Sequence, residues 1–406
     1  MRGLLVTDSP WVRCSRAVRA MTSRRACRAV AILAIAASSA YAQTSVTAPT
    51  RTTAVSQAEV TDSARAFGRL VQSLSEAGGY FDTDNLISNE RSYLHVVGAL
   101  ERLGVHGGAY IGVGPDQNFS YIARIRPSIA FVIDIRRDNM LQHLMFKALF
   151  ARSRNRIEYV ALLLGRAAPP GTEQWNERSI DALVALMDST PATERSAAAA
   201  RAAVMAEVRA SGVTLSADDL ATIERFHRTF ITSGLGLQFT TTGRAPQPYY
   251  PTLRQLLVER DLDGRRASYL ANESDFQFVK SLQRQHRVIP VVGDLAGPHA
   301  LPSIGRLVAQ RGETVSALYA SNAEDYLLRD GSFPAYARSV SALPHTPKSV
   351  MIRSFFGGSG SHPESVAGYY STQLLQTMDA FTDDVRRDNM VSYRQLVQRH
   401  FIPLRP

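Results

Sequence analysis

The chain has 406 residues, 45% of them hydrophobic and 20% charged, which are ordinary globular values for one large domain or two smaller ones. Its formal charge of +10 misleads, because residues 1–42 hold seven Arg and one Asp and the remainder carries only about +4. So small an excess is no electrostatic footprint for nucleic acid.

The first residues read as an export signal. Arg24, Arg25 and Arg28 precede the apolar run Ala29 to Ala37, and Ala40-Tyr41-Ala42 fits the small-x-small rule for cleavage before Gln43. The run is too short for a stable membrane anchor. Met21 fits a true start, since it brings the basic residues to the front, and Ser23-Arg24-Arg25 hints at a twin-arginine signal. The expected location is periplasmic or extracellular, or cytoplasmic if the leader is a gene-start error. Cys14 and Cys27 both lie in this leader, so a mature chain would have no disulfide, thiol nucleophile or cysteine-ligated metal. No histidine pair has a close metal-ligand spacing.

Residues 43–60 are rich in Thr, Ser and Ala and read as a flexible lead-in. Helical spacing begins near Thr61, with Ala64, Phe67, Leu70, Val71 and Leu74 on one face, and ends at Gly78-Gly79. A second amphipathic helix is expected from Ser88, carrying Tyr93, Leu94, Val97 and Leu100. It leads into the stretch Tyr110 to Asp134, which reads as strand, turn, helix, strand. Tyr110, Ile111 and Val113 form a short apolar run broken by Gly112 and closed by Gly114. Phe119, Ile122 and Ala123 fall at helical spacing until Arg126-Pro127 stops them, and Ser128 to Ile133 is a β-branched run ending on Asp134.

That pattern is half of a nucleotide-binding crevice. The glycines allow a sharp turn and close approach of a ligand to the backbone. A carboxylate about 20 residues on, at the tip of the next strand, accepts from a ribose diol. The third glycine of a dinucleotide fingerprint is missing, with Gln117 in its place, and Asp116 stands at the helix start. A carboxylate there repels a pyrophosphate but tolerates a cationic nucleoside, which favours S-adenosylmethionine over NAD. Asp116 also fits the bland role of a helix cap.

Arg152, Arg154 and Arg156 follow as a solvated helix end. Residues 165–272 do not alternate between strand and helix and read as a helical insertion over or beside the crevice; Tyr249, Tyr250 and Tyr269 are candidates either for packing or for a substrate site. Alternation returns with the strand Val288 to Val292 before Gly293-Asp294, a helix over Leu301 to Ala309, the strand Val315 to Tyr319 before Ser321-Asn322, a helix over Phe333 to Leu343 and the strand Val350 to Phe356. The expected fold is therefore α/β: a Rossmann-like, doubly wound, mainly parallel sheet of about five strands, with a helical insertion between the second and third. Residues 61–164 and 273–356 form its two parts. Residues 357–406 read as a loop and a C-terminal helix carrying Tyr370, Leu374 and Met378, with no final β-hairpin. The loop GGSGSH at 357–362 does not fit G-x-S-x-G, so no nucleophile elbow is expected.

With these strand tips the chain resembles the core of class I S-adenosylmethionine-dependent methyltransferases. The segments SNERSYLHVV, GVGPDQNFSYIA, FVIDIRRDN and VVGDLAGPHAL look more closely like a bacterial family of unknown function with that core. The resemblance covers about residues 80–160 and 245–356. It implies that Gly112 and Gly114 cradle the methionine part of the cofactor, that Asp134 holds the ribose, and that Gly293 and Asp294 lie near the adenine. It further implies that Asn322, with Tyr326 beyond it, faces the methyl acceptor. Three functions follow: a methyltransferase in which Asn322 orients the acceptor and Tyr326, Glu324 or Asp325 takes a proton; a non-catalytic binding protein; or an exported interaction protein on an inherited fold. The expected partner is a small-molecule ligand, without nucleic acid and without a stable membrane span once the signal is cleaved.

Overall fold

The computed structural model describes residues 57–83, 85–241, 247–357, 360–387 and 392–405. The expected leader over 1–42, with both cysteines, and most of the lead-in lie outside the described residues. The first helix begins at Gln57, earlier than the apolar spacing indicated, and runs to Leu74.

One sheet organises the described chain. Its strands are β1 (Ala109–Gly112), β2 (Ile129–Asp134), β3 (Val288–Val292), β4 (Val315–Ser321), β5 (His345–Phe356), β6 (Ser371–Thr377) and β7 (Phe401–Ile402). Their order is β3-β2-β1-β4-β5-β6-β7. The first five pair in parallel, β6 runs antiparallel to β5, and β7 antiparallel to β6. β2 and β3 are almost wholly buried along their length, as the unbroken runs IAFVI and VIPVV require of strands covered on both faces.

About five strands was therefore an undercount, and the expected helix through Leu374 is the strand β6. Tyr370, Leu374 and Met378 share a helical spacing, but Gln373 and Gln376 between them are buried in hydrogen bonds to the sheet core. Tertiary partners for these amides outweigh a weak local pattern. The helix expected through Tyr93 and Leu100 is likewise two pieces, a 3-10 turn at Arg91–Leu94 and a helix at Val97–Arg102.

Parallel crossovers are right-handed, so reversing the direction of travel across the sheet places helices on opposite faces. The helices Gln117–Ile125, Arg137–Arg152 and Glu273–Arg284 contact one another on one face; Ala300–Gln310, Phe333–Ser341 and Met378–Arg386 pack as a chain on the other. β1 lies between β2 and β4, where the direction reverses. Open α/β sheets bind ligands at the carboxyl ends of the strands at such a switch point.

Between β2 and β3 the chain is helical apart from isolated bridges, among the described residues. The helices Glu194–Arg209 and Ala217–Ser233 pack on Arg137–Arg152. Arg156 is no solvated helix end. It is 1% exposed, and its guanidinium donates to the carbonyls of Leu270, Ala271 and Asn176. No helix among the described residues is long and apolar enough to cross a membrane.

Candidate functional site

The turn after β1 is held from beneath by Asn118. Its Nδ2 donates to the carbonyls of Val113 (2.8 Å), Gly114 (3.3 Å) and Pro115 (2.7 Å), while its Oδ1 accepts from the Tyr110 hydroxyl at 2.8 Å. A Cβ on Gly112 would lie 2.0 Å from that Oδ1, so the glycine makes room for the staple. Gly114 has φ +82°, and its carbonyl also accepts from His143 Nε2 at 2.9 Å. Burial holds the His143 pKa down, to about 4, which keeps the ring neutral.

A cavity of about 510 Å³, within the range of ligand sites, opens at the carboxyl ends of β1 to β4. Among the described residues its cover comes from 75–83 and 85–90, not from the helical stretch 165–272. Glu76 N–H donates to the Val292 carbonyl at 2.9 Å and Gly79 N–H to that of Ile135 at 2.7 Å, which clips the segment across the ends of β3 and β2. Gln142 Nε2 donates to the Leu86 carbonyl at 2.6 Å and holds its far end. Tyr80, Phe81, Asn85, Ser88, Asn89 and Glu90 thereby face the cavity.

The eight residues singled out in the sequence divide into two groups. Gly114, Asp134, Asp294, Asn322 and Tyr326 line the cavity, whereas Gly112, Asp116 and Gly293 stand behind its wall. Gly293 is needed for packing, since a Cβ there would meet that of Ala300 at 2.2 Å. Asp116 neither caps its helix nor reaches the cavity. Its Oδ2 accepts from the Tyr269 hydroxyl at 3.1 Å, and burial raises its pKa to about 6. Tyr269 is thus core, and Tyr249 stacks on Tyr370 at 3.9 Å beside a smaller cavity that shares Asn89 with the main one.

Asp134 is not an open carboxylate. Its Oδ1 accepts from the backbone N–H (2.9 Å) and Nε (3.0 Å) of Arg136, and its Oδ2 from Arg136 Nη2 at 2.8 Å. Two oxygens offer about four acceptor sites, so one remains on Oδ2. Arg136 also donates to the Thr83 carbonyl at 2.9 Å, which ties the cover to the tip of β2. Asp294 Oδ1 accepts from Ala296 N–H at 2.8 Å.

At the tip of β4, Ser321 has φ +53°, uncommon for a residue with a side chain. Its hydroxyl donates to Glu90. Tyr319 and Gln373 also donate to that carboxylate, each at 2.6 Å. Burial first, and the Glu90 carboxylate next, push the Tyr319 phenol well above its ordinary range, so it stays a donor. Asn322 stands at the start of the next helix, Ala323–Asp330, without a side-chain cap bond, and Tyr326 meets Phe81 edge-on at 4.9 Å. Burial, then the Asp82 carboxylate, raise the Tyr326 pKa. Glu324 is buried against Arg353, and Asp325 pairs with Arg329 at 2.5 Å.

Among the described residues four carboxylates therefore line the cavity, Glu90, Asp134, Asp294 and Asp330, against the guanidinium groups of Arg136 and Arg329. Glu90 went unrecognised in the sequence because Ser88-Asn89-Glu90-Arg91 has the composition of an ordinary helix start.

Fold and cavity together define an α/β domain with an open, mostly parallel sheet and an acidic, ligand-sized crevice at its switch point. The chain belongs to a family described as a domain of unknown function (DUF7790), whose model matches residues 85–213 and 224–401. The match takes in the parallel strands together with much of the helical stretch between β2 and β3. No curated protein matches the chain.

Proposed function

We propose that the crevice binds a cationic, ribose-bearing ligand of the S-adenosylmethionine type on a Rossmann-like core, and that the chain is methyltransferase-like with its acceptor unassigned. The observation that carries this reading is the lining itself: Gly114, Asp134 and Asp294 at successive strand tips, Asn322 and Tyr326 opposite, and an excess of carboxylates over guanidinium groups. Such a field disfavours phosphates and favours a sulfonium or ammonium. The remaining acceptor site on Asp134 Oδ2 takes one ribose hydroxyl.

Catalysis in this reading is alignment of donor and acceptor. Tyr326 is kept protonated, Glu324 is buried in an ion pair and Asp325 is paired, so a proton acceptor is not supplied by these three. The acceptor is then a group that is nucleophilic without a base. The same observation favours a second reading, a binding protein that keeps the ligand and lacks the reaction. Export of the chain, proposed from residues 24–42, would strengthen that second reading by separating it from cytoplasmic S-adenosylmethionine. N-terminal sequencing from the native host decides export, and an intact leader on cytoplasmic protein rejects it.

Calorimetry with S-adenosylhomocysteine tests the ligand assignment. The purified chain binds, and Asp134→Asn, folded by its melting curve, binds about tenfold or more weakly, as expected for losing a charged acceptor worth roughly 1.5–3 kcal/mol. Equal affinity in the two chains would remove Asp134 from the site. A folded parent that binds nothing would remove the function.

A further inference from the structure

Glu90 is 1% exposed, yet it forms part of the cavity lining. Its three side-chain donors, the hydroxyls of Tyr319 and Ser321 and the amide of Gln373, are all neutral. No cationic side chain pairs with it among the described residues. Two other fully buried carboxylates are matched with cations, Asp275 with Arg124 and Arg126 and Glu324 with Arg353. A buried carboxylate without a counter-ion is costly, and the cost falls when a ligand brings the opposite charge.

Gln117 supplies a second, independent sign. It is 7% exposed and lines the same cavity. Its Nε2 donates to the Tyr319 oxygen at 3.2 Å, and Tyr319 gives its own proton to Glu90. That chain of donors fixes which end of the amide is the oxygen. The Oε1 so assigned is buried and accepts from nothing among the described residues. Ser321 adds a third, for it adopts a left-handed backbone conformation at the very position from which its hydroxyl reaches Glu90. Sparsely populated conformations of this kind gather at ligand sites.

A carboxylate and an amide oxygen, both buried and joined through one phenol, form an acceptor set for a group with several N–H donors and a positive charge. We propose that Glu90 and Gln117 are the subsite for a protonated primary amine on the ligand. This rests on the proposed function above, in which the amine is the ammonium of the amino-acid part. It gives the pocket its charge selectivity at the floor, separately from the ribose contact at Asp134.

Two probes that differ by the amine alone test it by calorimetry: decarboxylated S-adenosylhomocysteine, which keeps the amine at the end of its propyl chain, and 5′-propylthioadenosine, which has hydrogen in its place. The parent chain binds the amine at least tenfold tighter. Glu90→Gln brings the two affinities to within about twofold. If melting shows that Glu90→Gln does not fold, Gln117→Met decides, with at least a threefold loss of the preference expected. Equal binding of both probes by the parent overturns the inference and leaves the proposed function standing. So does a preference retained in the folded variants. Loss of both probes by a folded Glu90→Gln assigns Glu90 to the shape of the cavity and overturns it as well. A parent that binds neither probe overturns the inference and the proposed function together.

Discussion

Asn118 explains why residue 112 is glycine. The side chain that staples the turn occupies the volume a Cβ would need, 2.0 Å from its Oδ1 and 2.6 Å from the Tyr110 hydroxyl. Gly112→Ala is expected to lower unfolding free energy by about 1–3 kcal/mol through overpacking, read from urea denaturation; an unchanged midpoint would show that the staple yields freely. Gly114→Ala meets only the flexible ends of Gln117 and Asn85 at 3.3 and 3.4 Å, so its cost is the left-handed backbone, about 1 kcal/mol. The spacing of Gly112, Gly114 and Asp134 was legible because a turn between buried strands leaves a local signature. The carboxylate of Glu90 was not, because its partners lie on β4 and β6, more than 200 residues away. Nor was the pairing of Asp134 with Arg136, since in sequence Arg136 and Arg137 look alike, whereas only Arg136 is buried.

At the scale of elements, the helix Ala323–Asp330 is tied to β5 and β6 by one buried group. Arg353 donates through Nε and Nη2 to Glu324 and through Nη1 to Gln376 Oε1 at 2.7 Å, and lies over the Phe381 ring. Arg353→Met leaves Glu324 buried and unpaired, with an expected loss of about 3–5 kcal/mol. The double variant Glu324→Leu, Arg353→Met is expected to recover most of that loss. Denaturation of the two side by side checks it, and a double variant no more stable than the single one would contradict this account of the pair. The same network shows why β6 escaped notice. The parallel strands advertise themselves as continuous apolar runs, but Ser371 to Thr377 buries amides and hydroxyls whose partners only the folded sheet provides.

For the molecule as a whole, buried titrating groups set the response to pH. Burial lowers His95 and His143 to about 4 from an ordinary 6.5. The unfolded chain binds those protons first, so the stability they contribute is present above pH 6.5 and is lost as pH falls toward 4. Asp116 acts in the other direction. Its folded pKa of about 6 lies above the ordinary 3.8, so its contribution is present below about pH 4 and is lost as pH rises through 6. Asp116→Asn, still able to accept from Tyr269, is expected to be more stable than the parent by about 1–3 kcal/mol at pH 7 and equal to it near pH 4. Urea unfolding at the two pH values measures this, and a difference independent of pH would mean that the Asp116 charge is not what matters. The proposed ligand selectivity is the larger-scale property on which the account turns, since it would follow from carboxylates gathered from four parts of the chain around one crevice. The most direct measurement is a calorimetric comparison of the folded chain with S-adenosylmethionine, S-adenosylhomocysteine, NAD, NADP and ATP. The first two are expected to bind at least ten times tighter than the other three; tighter binding of any phosphate-bearing ligand, or no binding at all, would contradict it.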